Sequence, residues 1–275
     1  MNVYQMVTDR IIAQLENGVI PWHKPWIGVR EGAFNRVSGK TYSMANQMLL
    51  SHSGEYATFK QWNSLGGKIK KGAKAEVVVF WKMLNVEDEK TGDKKMIPLL
   101  RYINVFHISQ VEGVKPLHET FDNEDIVDGD TLIKDYSERA NIEIIEATGD
   151  RAAYSVTNDY IKVPNKNQFE NINEFYSTVF HEMVHSTGAP SRLNRHAEDM
   201  TDFEFGSQGY SKEELVAELG ASFLMNHMGI ETPETFDNSA AYINGWLSKL
   251  KGDNKLIVSA AGKAEKAAKY ILGCE

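Results

Sequence analysis

With 275 residues, 42% of them hydrophobic and 25% charged, the chain has the length and apolar content for two modest cores rather than one minimal domain. Its net charge of −8 averages two unlike parts: residues 1–118 hold 16 Lys and Arg against 10 Asp and Glu, a surplus of +6, and the remainder holds 14 against 28. Overall acidity therefore does not exclude nucleic acid as a partner of the basic part. The single cysteine, Cys274, excludes an intrachain disulfide framework, and no run approaches the ~18 apolar residues of a membrane span.

The N-terminus reads as an amphipathic helix with Val3, Met6, Val7, Ile11 and Leu15 on one face and Gly18 as its stop. Its Asp9, Arg10 and Glu16 are unlike the apolar core of a signal peptide, so a cytoplasmic protein is expected. Pro21 to Trp26 forms a loop whose two prolines exclude a helix interior. Short helices are expected near 43–52 and, behind the N-cap Thr58, near 58–65, with Gly66 and Gly67 ending the second. A basic turn, Lys68 to Lys74, leads into a β-branched and aromatic strand from Val77 to Trp81. A hairpin tip near Thr91-Gly92-Asp93 returns the chain to a second strand near 100–108.

Residues 117–130 lose periodicity and turn acidic, which sets the expected domains at 1–125 and 126–275. A helix follows near 131–140, then strands near 142–146, 152–156 and 160–163. A helix over 173–186 is expected to end at Gly188, before a long polar loop over 189–210. Another helix covers 211–227, and two more finish the chain between 239 and 272. The fold class is α+β in two domains, a mixed α/β N-terminal one and a C-terminal one with a small sheet.

Within the 173–186 helix, His181-Glu182-Met183-Val184-His185 matches H-E-x-x-H. Residues four apart share a helix face, so both imidazoles reach one metal while Glu182 stands beside the open coordination position as general base on metal-bound water. A third ligand is needed for catalytic zinc. Ser191, where one subclass carries a third histidine, is a poor ligand, and His196 in the loop is poorly pre-organised. The segment Glu214 to Glu218 resembles the E-x-x-A-[DN] element of glutamate-ligand zincins. By that analogy Glu214 is the third ligand of one Zn²⁺ per chain, and Glu218 orients a ligand histidine or substitutes for Glu214. Spacing alone does not rank the two. Glu213 reads as a solvated helix start.

In the basic half, aromatic residues interleave with cations, the requirement for stacking bases and meeting phosphates in single-stranded nucleic acid. The candidates are Trp22, Lys24, Trp26, Arg36, Lys60, Lys68, Lys70, Lys71 and Lys74; Trp81 reads as core.

The chain as a whole resembles the ArdC-type antirestriction proteins, whose N-terminal domain also occurs in TraC-type primases. The likeness rests on Pro21-Trp22-x-Lys24-Pro25-Trp26, Asn46, Thr58-Phe59-x-Gln61, Gly66-Gly67, Lys70-x-Gly72 and Asn104-Val105-Phe106 in the first half. In the second it rests on His181 to Gly188, Pro190-Ser191-Arg192-Leu193, Glu213 to Gly220 and Trp246-Leu247. That resemblance implies a single-stranded-DNA-binding domain joined to a zincin-like metallopeptidase domain, protecting incoming plasmid or phage DNA from restriction. Two other readings stay open: a peptidase that cleaves a host regulatory or restriction protein with DNA serving only to localise it, and a primase-like replication accessory.

Overall fold

The structure of the chain, a computed structural model, describes residues 2–23, 32–87, 94–117, 128–196, 208–230 and 240–274. It divides into two units, one of Met1–Ile11 with Trp26–Phe121 and the other of Ile12–Pro25 with Asp122–Glu275. The stretch Ile12–Pro25, given to the first domain by the sequence reading, groups with the second unit.

Helix α1 (Val3–Glu16) buries Val7, Ile11 and Leu15, the i, i+4, i+8 stripe visible in the sequence. In the first unit, α2 (Met44–Leu49) and α3 (Phe59–Ser64) alternate with short strands β1 (Ala33–Asn35), β2 (Gly54–Ala57) and β3 (Lys68–Ile69). Thr58 starts α3 as expected: its hydroxyl accepts from the Gln61 N–H at 3.2 Å, and Gln61 Oε1 accepts from the Thr58 N–H at 2.9 Å. The long strands β4 (Glu76–Glu87) and β5 (Lys94–His107) pair antiparallel along their whole length, and β6 (Val111–Glu112) pairs with β3. The larger sheet has the order β1-β2-β5-β4, with β1 and β2 parallel.

Leu50, Tyr56, Val78 and Val105 pack about Ala33 in one core cluster; Ala57, Trp62 and Val111 form another. The Trp62 indole is buried and donates to the Phe106 carbonyl at 2.8 Å. Two buried amides bond the main chain of other elements directly. Asn46 donates to the Val79 carbonyl and accepts from the Val79 N–H, at 2.9 and 2.7 Å, while Gln47 does the same for Ala33 at 2.9 and 2.8 Å.

In the second unit, α4 (Gly129–Ala140) precedes β7 (Glu143–Ala147), β8 (Ala153–Ser155) and β9 (Tyr160–Pro164). The sheet order is β7-β9-β8, with β7 parallel and β8 antiparallel to β9, so β8 is an edge strand. Helix α5 (Ile172–Ser186) packs on β8 and β9, and α6 (Gln208–His227) lies across α5. The crossing is close because Gly220 has no side chain: a Cβ there would stand 2.7 Å from Val184 Cγ2. Helices α7 (Ala240–Gly252) and α8 (Leu256–Leu272) complete the unit, α8 presenting buried Ala260, Ala261, Ala264, Ala267 and Ala268. No helix among the described residues is long and apolar enough to cross a membrane.

Candidate metal centre

Helix α5 places His181 and His185 one turn apart, with their Nε2 atoms 3.1 Å from each other. Helix α6 brings Glu214 against both: Oε2 lies 3.5 Å from His181 Nε2 and Oε1 3.5 Å from His185 Nε2. Among the described residues these three form the group whose donor atoms, all within 4.8 Å of one another, could hold a metal ion. The packing explains the convergence, since Val179, Phe180, Met183 and Val184 of α5 and Leu215, Val216 and Leu219 of α6 are buried and leave the polar faces to meet at one side.

The electrostatics fit a divalent cation. Burial lowers the His181 pKa, but its hydrogen bond to Glu214 and the charges of Glu218, Glu182 and Glu214 outweigh that and carry it up to about 9. Carboxylates crowding a pair of imidazoles leave excess negative charge that a cation balances, and a His2Glu donor set suits zinc. Glu218, half-buried one turn beyond Glu214, therefore acts on His181 through its charge.

Glu213 is not the solvated helix start expected from the sequence. It is 3% exposed, with Oε1 3.5 Å from His185 Nδ1 and 3.7 Å from His196 Nε2. Arg195 clamps it, donating to Oε1 at 2.6 Å and to Oε2 at 3.3 Å, and is itself fixed on Thr187 Oγ1 and the Val184 carbonyl at 2.6 and 2.8 Å. Desolvation raises the Glu213 pKa, yet hydrogen bonds from His185, His196 and Arg195 hold it well below the usual carboxylate range. A buried ionised acid thus faces the His185 nitrogen that points away from His181 and Glu214, which orients the ring.

Gly188 likewise has a different role from the one expected. Helix α5 ends at Ser186 without a left-handed residue, and the missing side chain of Gly188 makes room for the His196 imidazole, which a Cβ would overlap. The His196 ring also lies against Tyr154, centroids 6.1 Å apart. Tyr154 is on edge strand β8, and its N–H donates to Glu182 Oε2 at 2.7 Å, which fixes the acid of the H-E-x-x-H motif. Its hydroxyl donates to Asp159 at 2.8 Å, and Asp159 is paired with Arg192. Arg195 and Tyr154 were given no role in the sequence reading, and Glu213 was given a different one. The one available signal was the repeat of arginine at 192 and 195 behind the motif helix.

The basic-half candidates separate. Trp22 belongs to the second unit, is 2% exposed, meets Trp246 edge to face at 6.4 Å, and accepts a hydrogen bond from Ser222 on its carbonyl, so its ring offers no free face. Lys24 and Trp26 lie outside the described residues. Arg36 is paired with buried Glu55. Lys60, Lys68, Lys70, Lys71 and Lys74 are exposed along α3, β3 and the turn after it, Lys70 donating to the Ser109 carbonyl at 2.8 Å. Trp81, read as core, is instead 52% exposed, because β4 runs on past the sheet with β5 as its one neighbouring strand.

Residues 1–106 match the N-terminal domain of anti-restriction factor ArdC, and residues 133–263 match a zincin-like metallopeptidase. The metal-free crystal structure of the antirestriction ArdC protein from plasmid R388 is 33% identical and superposes with a TM-score of 0.79 over 100% of both chains. Its Mn(II)-bound form is 32% identical, with a TM-score of 0.78 over 99% of this chain and 98% of the other. A DNA primase TraC of Escherichia coli is 33% identical over 99% of this chain, which spans 27% of that primase. A second TraC primase of Escherichia coli is 30% identical, and 20% of its length is spanned.

Proposed function

This chain belongs to the family of ArdC-type antirestriction proteins and carries a zincin-like metallopeptidase domain; on that premise we propose that its first unit binds single-stranded DNA and its second hydrolyses peptide bonds at a zinc site. The observation that carries the peptidase half is the convergence of His181, His185 and Glu214 beside a fixed Glu182. His181, His185 and Glu214 would hold the cation, with Glu213 and Glu218 setting the two histidines. A zinc ion bound there supplies Lewis acidity to a scissile carbonyl and to water.

The chain's own residues supply the rest. Glu182, anchored through one oxygen by the Tyr154 N–H, takes a proton from the attacking water and returns it to the departing amine. A peptide extended along edge strand β8 gains main-chain hydrogen bonds in register with the site. The DNA half is supported by the exposed Lys60, Lys68, Lys70, Lys71 and Lys74 in the basic part of the chain.

The test separates the two activities. Glu182→Gln removes the base and no metal ligand, so the variant should keep metal and DNA binding and lose hydrolysis of quenched-fluorescence peptides by at least ~100-fold. Hydrolysis at the wild-type rate would refute the peptidase half. If Glu182→Gln still protects DNA from restriction in cells, antirestriction runs through DNA binding. Lost protection with intact DNA binding favours cleavage of a host protein instead.

A further inference from the structure

The β4–β5 ribbon joins the sheet at one end: β5 meets β2 at Ala57–Phe106 and Tyr56–His107 alone. Nearest that base its side chains are core, with Val77, Val78 and Val105 buried. Farther out, beside the buried Val79 and Leu100, large rings stand about half in solvent: Trp81 is 52% exposed with Tyr4 edge to face at 6.1 Å, Tyr102 is 51% exposed and Phe80 45%. A patch of this kind is uncommon on a protein surface unless something covers it.

Register says what the patch presents. Trp81 stands opposite Leu100 and Tyr102 opposite Val79, so Trp81 and Tyr102 are diagonal neighbours on one face. Phe80 faces Arg101 and Lys82 faces Leu99 on the other. Phe80 thus shares its face with both cations, whereas Trp81 and Tyr102 have Lys82 and Arg101 as their sequence neighbours on the opposite face. The sequence has no acidic residue from Val77 to Val86 or from Lys94 to His107. A ribbon two strands wide is about 5 Å across, so the long side chains of Lys82 and Arg101 can reach a chain laid along either face.

We propose that the outer part of this ribbon is a stacking platform for single-stranded nucleic acid, Trp81, Tyr102 and Phe80 receiving bases while Lys82 and Arg101 meet phosphates. It rests on the single-strand-binding reading above and assigns that binding a surface beyond the lysines of residues 60–74. Interleaved rings and cations without acids complement a polyanion with π-faced bases. A strand from a second copy fits less well, because the Asn46 side chain already occupies both backbone groups of Val79 on β4.

The test uses the full chain and a fluorescein-labelled oligothymidylate, with anisotropy read across a salt series. Trp81→Ala and Tyr102→Ala should each weaken binding by ~10-fold or more with the salt slope unchanged. Arg101→Ala should lower the slope of log K against log salt by about 0.7. Trp81→Phe keeps a ring and should recover most of the affinity. These side chains are exposed, so unfolding temperatures should match the wild type, which separates lost stacking from lost folding. Failure of the wild type to bind overturns both the proposal and the reading beneath it. Tight wild-type binding with Trp81→Ala and Tyr102→Ala unaffected overturns the proposal alone. So does a self-association, seen by sedimentation velocity, that Trp81→Ala abolishes while DNA affinity stays constant.

Discussion

Replacing Glu213 with Ala is the most searching perturbation of the metal centre, because it should act on two properties by separable routes. Arg195 and Glu213 are 5% and 3% exposed, so the variant leaves a guanidinium in the interior, still bonded to Thr187 Oγ1 and the Val184 carbonyl. Breaking a buried ion pair from one side costs about 3–5 kcal/mol. At ~2–4 °C per kcal/mol for a unit of this size, the melting temperature should drop by roughly 6–20 °C. Independently, His185 loses the acid facing its Nδ1, and such losses weaken metal binding by about 10–100-fold. Adding Arg195→Met removes the stranded charge, so the double variant should regain stability while its zinc affinity, measured by chelator competition, stays low. Recovery of zinc affinity along with stability would refute the reasoning, since Glu213 would then act through the fold alone. A Glu213→Ala protein as stable as wild type would refute the burial argument.

Gly220→Ala pushes a methyl group against Val184, which should cost about 1–3 kcal/mol in urea unfolding, and adding Val184→Ala should return much of it; no loss in the single variant would contradict the close α5–α6 crossing. The hydrogen bond from Arg192 holds the Asp159 pKa below its ordinary 3.8, so the stability from this pair is fully present above about pH 4 and fades as pH falls through the folded value. Asp159→Asn, whose side chain tolerates the left-handed backbone at this position, should melt below wild type near pH 7 and approach it as pH falls below about 4; a constant gap would count against the pair. Lys70→Ala with Lys71→Ala should lower the salt slope of single-strand binding by about 1.4, and an unaltered slope would remove these two lysines from the phosphate path.

The sequence made the candidate metal-binding histidines legible because their chemistry is local: a helix period puts His181 and His185 together wherever the helix goes. Helices α1, α3 and α5 were legible for the same reason, with Thr58 and Gln61 writing a capping box into four residues. Glu213 was misread because its meaning lies in Arg195, which reaches it from a segment 18 residues away. Strands β1 and β2 are three and four residues long, too short for a period to register. Trp81 illustrates the opposite failure. Its β-branched and aromatic run with Val77 to Phe80 signals a strand correctly, but whether a strand face is covered depends on how far the sheet extends, and β2 ends at Ala57.

Glu214 is expected to complete the metal site and Glu218 only to support it. Zinc content of purified Glu214→Ala and Glu218→Ala under the same chelator competition tests this directly. One zinc per chain in the wild type, retained by Glu218→Ala with affinity lowered by no more than about 100-fold and lost from Glu214→Ala, is the expected result. Zinc retained by Glu214→Ala and lost from Glu218→Ala would contradict it and move the third ligand one turn along α6.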